Sequence, residues 1–257
     1  MVVGLDIFRN FFQDHTDNYV IIGGTACDIH IEAAGFTPRA TNDIDIVLII
    51  EALNKSFVKR FWEFVKEGDY TVQEKSSGKR NYYRFMKPEN KDFPKQIELF
   101  ARKPDMIHYE GQGQLTPIPA DADLSSLSAI LMHEDYYDFT ITQSTTEEGL
   151  HQANPEALIC LKAKAFLEMK ERKVKGEKID ERDIKKHKSD IFRLALLLIP
   201  NSTFQLPESL KKDMLLFIVA VENELPDKNM FKAMGATGAN AQELLELIKS
   251  NFGINYQ

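Results

Sequence analysis

The fold expected of this chain is decided by two stretches near its N-terminus, Val20-Ile-Ile-Gly-Gly-Thr-Ala26 and Arg39-Ala-Thr-Asn-Asp-Ile-Asp45. The first predicts a β-branched strand, Tyr19–Ile22, which stops at Gly23–Gly24 and is followed by a helix. The second leads into an apolar run, Ile44–Ile50, that is typical of a strand buried on both faces. In this order, the elements predict one compact unit that mixes helices and strands.

Local periodicity predicts further elements downstream and upstream of these stretches. Helices are expected over Leu5–Phe12 and Lys55–Lys66, where apolar residues recur at helical spacing. Alternating side chains predict strands over Tyr82–Met86 and Gln96–Phe100. Several Pro and Gly residues then interrupt the pattern in residues 104–119, which indicates a domain boundary.

The second half of the chain is predicted to be mostly helical. Two short strands are expected near Ala129–Met132 and Phe139–Gln143. Apolar periodicity then predicts helices over Pro155–Lys170, Glu181–Leu198, Ser209–Leu225 and Ala241–Lys249. We therefore expect an α/β (α+β) fold with a mixed sheet in residues 1–115, followed by a mostly helical domain in residues 116–257 that closes a cleft.

The composition limits the classes of protein to which the chain can belong. Its 257 residues are 43% hydrophobic, which suffices for a sizeable core, and the net charge of −7 excludes an overall basic surface for nucleic acid. Cys27 and Cys160 lie far apart, so neither a disulfide framework nor a cysteine zinc site is expected. No signal peptide is expected from the N-terminal residues, and every apolar stretch is shorter than the ~20 residues that span a bilayer. We expect a cytoplasmic protein without a membrane partner.

Asp43 and Asp45 are candidate metal ligands. They are two residues apart on a predicted strand, so their side chains share one face of the sheet. Glu98, on the predicted strand Gln96–Phe100, is the candidate third carboxylate. Because Mg²⁺ and Mn²⁺ prefer oxygen ligands, and because paired buried carboxylates repel one another without a cation, the sequence predicts a site for Mg²⁺ or Mn²⁺.

Gly23, Gly24 and Thr25 are candidates for phosphate binding. A strand that ends in Gly-Gly and continues into a helix offers backbone N–H groups and a helix N-terminus to an anion. Gly allows close approach of the backbone, and Thr25 adds a hydroxyl group. Arg39 is a candidate either for a phosphate contact or for ordering the loop, and a plain surface role is an equal alternative.

Together, Gly23-Gly24-Thr25 and Arg39-Ala-Thr-Asn-Asp-Ile-Asp45 resemble the signature of the polymerase-β-type nucleotidyltransferase superfamily. Two later segments, Leu158-Ile-Cys-Leu-Lys-Ala-Lys-Ala-Phe166 and Lys186-His-Lys-Ser-Asp-Ile-Phe-Arg-Leu194, resemble the AbiEii/AbiGii class of abortive-infection toxins. Members of that class share a Leu-Lys-Ala-x-Ala helix followed by a Lys-x-x-x-Asp helix. The resemblance covers residues 18–198.

The resemblance implies a nucleotidyltransferase fold and a defined reaction. A nucleoside monophosphate would pass from an NTP to an acceptor hydroxyl, and pyrophosphate would be released. By position, Asp43 and Asp45 would hold the metal, Lys162 would contact the triphosphate, and Asp190 would be the distal acidic residue. Glu98 is the candidate base for the acceptor hydroxyl. Members often carry an acidic residue where this chain has His187.

The acceptor and the protein partners stay open at this point. A tRNA acceptor, in a toxin–antitoxin or phage-defence system with an antitoxin partner, competes with a small molecule such as an aminoglycoside. A module that binds nucleotides without turnover is the alternative from another class. Residues 162–188 carry eleven Lys and Arg against six Asp and Glu, a net charge of +5. This segment indicates either a basic wall that faces a polyanion or a solvated hairpin of mixed charge.

Overall fold

The computed structural model of the chain describes residues 2–72, 80–100, 118–119, 130–131 and 133–254. The strands are β1 Tyr19–Ile22, β2 Asp43–Leu48, β3 Thr71–Val72, β4 Arg80–Met86, β5 Gln96–Phe100, β6 Ile118–Pro119, β7 Ser144–Glu147 and β8 Leu150–Ala153. The α-helices are α1 Leu5–Phe12, α2 Gly23–Ala33, α3 Lys55–Glu67, α4 Glu134–Thr142, α5 Pro155–Val174, α6 Glu181–Ala195, α7 Glu208–Val221, α8 Lys228–Ala233 and α9 Ala241–Asn251.

The strands of the described residues form one mixed sheet. Their order is β3-β4-β5-β2-β1-β8-β7, and β6 pairs with β4. Two pairs are parallel, β2 with β5 and β1 with β8, and the other neighbours are antiparallel. The sheet and its covering helices confirm the predicted α/β class with a mixed sheet.

Strand alternation gives the sheet two different faces. On one face, Ile44, Ile97 and Phe85 lie side by side on β2, β5 and β4, and each is fully buried. The Phe85 ring meets Phe61 of α3 at a centroid distance of 5.3 Å, within a cluster of aromatic rings that α1 and α3 share. The opposite face therefore receives the alternate residues of the same strands, and these include Asp45 and Glu98.

A second layer of helices covers the face that carries the carboxylates. Helix α2 packs on β1 and β2 and also contacts α5 and α6, and α5 packs against both α6 and α7. Helix α5 is buried over its N-terminal part, which explains the near-continuous apolar run between Ala157 and Phe166. No helix among the described residues is both long enough and apolar enough to cross a membrane.

Most elements predicted from periodicity are confirmed with small shifts of their ends. Helix α9 begins as predicted at Ala241, and the side-chain oxygen of the N-cap residue Asn240 accepts the N–H of Gln242. The strand predicted over Phe139–Gln143 is wrong, because these residues continue helix α4, which buries Tyr136, Tyr137 and Phe139 together. Of the strand expected near Ala129–Met132, both end residues lie outside the described residues, and residues 130 and 131 between them are helical.

The sheet takes strands from both sides of the expected domain boundary. Strands β7 and β8 belong to the second predicted unit, and Gln152 of β8 pairs in parallel with Ile21 of β1. The boundary itself, between residues 115 and 116, lies outside the described residues. The sheet thus fixes the position of helix α5, which follows β8 after a single residue, relative to β1 and the Gly-Gly turn.

Candidate active site

A row of polar side chains crosses the covered face of the sheet. Arg84 of β4 lies opposite Glu98 of β5, and Glu98 lies opposite Asp45 of β2. One repeat further along the parallel pair, Asp43 lies opposite Gln96. Because residues two apart share a face, this register places Asp43, Asp45 and Glu98 on the same side of two adjacent strands.

The Gly-Gly turn meets this row at Asp45. Gly23 has a φ of +70°, and a Cβ at this position would lie 1.9 Å from Asp45 Oδ2. A Cβ on Gly24 would lie 2.8 Å from Thr41 Oγ1. Glycine is therefore required at position 23 for the backbone conformation and for the close approach of Asp45. At position 24 it allows the close approach of Thr41, in the loop before β2.

The N-terminus of helix α2 is open at this turn. The helix starts at Gly23, and its N-cap residue, Ile22, makes no side-chain capping hydrogen bond. The first N–H groups of a helix have no partner within the helix, and they carry the positive end of its dipole. This helix end therefore offers donors to an anion beside Asp45.

Helices α5 and α6 form the wall opposite the carboxylates. A cavity of about 200 Å³ lies between this wall and the sheet. Both walls contribute polar side chains, and α5 adds apolar ones. The lining residues are Gly23, Gly24, Asp43, Asp45, Gln96, Glu98, Leu158, Leu161, Lys162, Ala165, Met169, Lys186 and His187.

The carboxylates in the cavity destabilise one another's charged forms. The pKa of Asp45 is raised to about 7, first by burial and then by the charges of Glu98 and Asp43. Burial also raises the pKa of Glu98, although Arg84 opposes this shift through an ion pair of 2.6 Å. Gln96 Nε2 donates a further hydrogen bond of 3.0 Å to the same Glu98 oxygen. Asp45 therefore lies where a cation would lower the free energy of its charged form.

A cation fits Asp43 and Asp45 better than it fits the predicted set of three carboxylates. Oxygen ligands converge from adjacent positions of one strand face, and the raised pKa of Asp45 indicates charge that is not fully compensated. Glu98 Oε1, by contrast, already accepts hydrogen bonds from Arg84 and Gln96. Among the described residues, no group of three His, Cys, Asp or Glu side chains is arranged to hold a metal ion.

Lys162 and Asp190 join the two helices of the opposite wall. Lys162 Nζ donates a hydrogen bond of 2.9 Å to Asp190 Oδ2, and Arg39 Nε lies 3.3 Å from the other oxygen. Burial opposes ionisation of Asp190, but Lys162 and Arg39 together lower its pKa. Asp28 fixes the same loop by accepting the backbone N–H groups of Arg39 and Thr41. The loop that leads into β2 is thus held by helices α2 and α6.

His187 lines the cavity as a neutral ring. Its pKa is lowered to about 3, first by burial and then by the positive charge of Lys162. Its Nδ1 atom is buried and has no hydrogen-bond partner among the described residues. An imidazole in this state can donate with one nitrogen and accept with the other.

The structure brings six of the predicted site residues to the cavity and keeps three away from its lining. Gly23, Gly24, Asp43, Asp45, Glu98 and Lys162 line it. Asp190 and Arg39 lie behind Lys162. Thr25 is fully buried, and its hydroxyl donates to the carbonyl of Asp43, so it ties α2 to β2.

Three polar lining residues, Gln96, Lys186 and His187, are not among the predicted site residues. Gln96 shares the face of Glu98 two residues earlier, which is the spacing that identified Asp43 and Asp45. Lys186 and His187 lie in helix α6, and Lys186 lies one helical turn before Asp190. Gln96 lies two residues before Glu98 on a strand, and Lys186 lies four residues before Asp190 on a helix. These two spacings indicate Gln96 and Lys186 from the sequence.

The basic segment at residues 162–188 is extensively paired with acidic residues. Arg172, Lys173, Lys175 and Arg182 form ion pairs with Glu177, Glu181, Glu171 and Asp180, all within the same helical hairpin. These pairs favour the interpretation of a solvated hairpin of mixed charge over that of a continuous basic wall. Lys162 and Lys186, which line the cavity, are the members of this segment that face the carboxylates.

Comparison of the chain with protein-family models, with curated proteins and with solved structures gave no match.

Proposed function

We propose that this chain is a metal-dependent nucleotidyltransferase, which moves a nucleoside monophosphate from an NTP to an acceptor hydroxyl and releases pyrophosphate. The observation that carries the proposal is the meeting of the Gly23–Gly24 turn with Asp43 and Asp45 in one cavity, opposite Lys162. Nucleotidyl transfer requires compensation of phosphate charge, and this cavity combines an open helix N-terminus, candidate metal ligands and two lysines.

Each wall of the cavity has a distinct part in the proposed reaction. Asp43 and Asp45 would hold Mg²⁺ or Mn²⁺, which supplies positive charge to the phosphate oxygens. The N–H groups at Gly23 and Gly24 bind phosphate from the sheet side. Lys162 and Lys186 place positive charge on the helix side, and Asp190 holds Lys162 in position. The acceptor hydroxyl enters from the open side of the cavity.

Thermal unfolding with metal and nucleotide tests this proposal. A nucleotide at about 100 times its Kd should stabilise the protein by about 2.7 kcal/mol, which corresponds to several degrees in Tm. The increment should require Mg²⁺, because phosphate and carboxylate oxygens together complete its coordination. The double variant Asp43→Asn/Asp45→Asn should lose the increment and remain folded.

A matched control keeps the change of charge but moves it away from the cavity. Asp14 and Asp17 are both exposed and lie three residues apart near the N-terminus. Asp14→Asn/Asp17→Asn should retain the full increment. If the cavity variant retains it too, the metal and the nucleotide bind elsewhere and the proposal fails.

A module that binds nucleotides without turnover is the second candidate, and one observation favours it. Glu98, the candidate base, accepts hydrogen bonds at Oε1 from Arg84 at 2.6 Å and from Gln96 at 3.0 Å, and these donors reduce its tendency to take a proton from a hydroxyl. Pyrophosphate release distinguishes the two candidates. An enzyme should release pyrophosphate from at least one NTP when tRNA or an aminoglycoside is supplied as acceptor. Nucleotide binding without release under all these conditions favours the module.

A further inference from the structure

An apolar strip runs along the helical wall of the cavity. Leu158, Leu161, Ala165 and Met169 follow one another at spacings of three and four residues, so they share one face of α5. Metal ions and phosphates are bound by oxygen ligands and by cations, and neither needs an apolar contact. Part of this cavity is therefore built for something other than the charged part of the substrate.

His187 adds a polar group that no described residue satisfies. Its buried Nδ1 has no partner among the described residues, whereas nearly all buried polar atoms in proteins are hydrogen-bonded. The ring lines the same cavity as the apolar strip. A planar apolar ligand with hydrogen-bonding groups on its edge would contact the strip and the imidazole edge of His187 at the same time.

The two kinds of surface lie next to each other along the cavity. Lys162, which faces the carboxylates, and Met169 are seven residues apart on α5, which is about 10 Å along the helix. The volume of about 200 Å³ is below the range of about 300–1,000 Å³ for pockets that enclose a whole drug-sized ligand. Lys162 lies between Leu161 and Ala165 on α5, so the cavity encloses part of a ligand whose charged and apolar groups bind side by side.

We propose that the strip formed by Leu158, Leu161, Ala165 and Met169, together with His187, is the subsite for the nucleobase of the donor NTP. His187 is then a specificity-determining residue, which distinguishes bases by the hydrogen bond that it makes to the base edge. This inference rests on the proposed function, because it assigns the part of the NTP that does not react. It goes further in predicting that the protein prefers some bases over others.

Equilibrium binding of four NTPs and of inorganic tripolyphosphate, each with Mg²⁺, tests the inference. Tripolyphosphate carries the phosphate chain without sugar or base. The wild-type protein should bind at least one NTP more tightly than tripolyphosphate by about tenfold or more, and should rank the four bases unequally. His187→Phe keeps a planar ring but removes the hydrogen bond, and Met169→Ser removes part of the apolar strip.

The two variants should act on the base and not on the phosphates. His187→Phe should reduce the ratio between the best and the worst NTP by about threefold to tenfold. Met169→Ser should weaken all four NTPs to a similar extent. In both variants the affinity for tripolyphosphate should stay within about twofold of the wild type. Two matched substitutions outside the cavity, His133→Phe and Met230→Ser, should leave every affinity unchanged, because neither residue lines the cavity.

Two outcomes separate the failure of this inference from the failure of the proposed function. If tripolyphosphate binds as tightly as every NTP, or if the variants affect both ligands equally or neither, the base lies elsewhere and the nucleotidyltransferase proposal is unaffected. If neither the NTPs nor tripolyphosphate bind in the presence of Mg²⁺, the proposed function fails and the base subsite fails with it.

Discussion

Two of the lysines of helix α5, Lys162 and Lys164, form similar ion pairs on different faces of the helix. Lys162 Nζ lies 2.9 Å from Asp190 of α6, and Lys164 Nζ lies 3.0 Å from Asp213 of α7. The distances are nearly equal, but the environments differ. The side chains of the first pair are 7% and 4% exposed, whereas those of the second are 29% and 13% exposed.

The two pairs have the same chemistry but differ in burial and in their distance from the cavity, so the two lysines act on different groups. Lys162 lines the cavity with the carboxylates, and its charge reaches Asp45, His187 and Cys27. Lys164 lies outside the cavity, and Asp213 is additionally bonded by the hydroxyl of Tyr136 at 2.9 Å. Removal of one partner from a buried ion pair leaves the other charge without solvent and lowers the stability strongly. The same change in a partly exposed pair costs less, because water solvates the remaining charge.

The largest effect is expected when the acidic partner of each lysine is neutralised. Asp190→Asn leaves Lys162 buried without a counter-charge and also releases Arg39, so it should lower the free energy of unfolding by about 3–5 kcal/mol. Asp213→Asn should cost about 1 kcal/mol or less, because water can solvate Lys164. Chemical denaturation of both variants measures the two values.

A double substitution shows whether burial is the cause. Lys162→Met combined with Asp190→Leu removes both charges, so it should recover most of the stability that Asp190→Asn loses. Equal losses for Asp190→Asn and Asp213→Asn would mean that the contrast in burial does not control the stability of the two pairs.

The next effect concerns the affinity for nucleotide. Lys162→Ala should weaken NTP binding or turnover by at least about tenfold, or about 1.4 kcal/mol, because it removes a positive charge from the cavity. Lys164→Ala is the matched control on the same helix and should change either value by less than about twofold. The measurement is equilibrium binding of an NTP with Mg²⁺, at a temperature where both variants are folded.

A larger effect of Lys164→Ala than of Lys162→Ala would contradict this prediction. If Lys164→Ala is damaging and Lys162→Ala is silent, the triphosphate binds near α7. If neither substitution matters while Asp43→Ala is inactive, the helical wall selects substrates or partners and does not bind the phosphate chain.

The smallest effect is a dependence of stability on pH. It arises from Glu168 of α5 and from Asp45 of β2, on the two sides of this helix. Burial raises the pKa of Glu168, near Lys164, from 4.5 to about 7, and the pKa of Asp45 is likewise raised to about 7. A folded-state pKa above the unfolded value means that the folded protein binds the proton more tightly. The resulting stability is complete below about pH 4 and is lost as the pH rises to about 7.

Two neutral substitutions should therefore stabilise the protein at high pH. Glu168→Gln and Asp45→Asn, each measured without metal, should lose less stability than the wild type as the pH rises from 5 to 8. Addition of Mg²⁺ and an NTP should reverse the advantage of Asp45→Asn and leave that of Glu168→Gln unchanged. A reversal at both positions would show that the metal effect does not distinguish the two faces of α5.

Much of the sheet side of the site could be predicted from local sequence. The placement of Asp43 and Asp45 on one face follows from the period of a strand, and it requires no knowledge of distant residues. The need for glycine at position 23 follows from a strand that turns sharply into a helix. Glu98 was found because it alternates with Ile97 and Leu99 in the same way. The register of β2 with β5 then places it opposite Asp45.

The helical side of the site was predictable only in part. The resemblance of the motifs indicated Lys162 and Asp190, but it did not reveal that the two bind each other across 28 positions of the chain. Likewise, Arg84 and Glu98 are joined by antiparallel pairing of β4 with β5, and no local pattern marks Arg84. The hydroxyl of Thr25 was expected to face a phosphate, yet the packing of α2 on β2 directs it to the carbonyl of Asp43.

The sequence by itself determined the order of the elements and which carboxylates share a strand face, because these depend on backbone geometry over two to four neighbouring residues. Only the tertiary structure decided that β8 joins β1 and sets α5 over the carboxylates, and that an apolar strip of α5 and His187 of α6 line the same cavity. Those features depend on contacts between residues far apart in the chain. The free energy of such contacts comes from burial and packing, which periodicity does not encode.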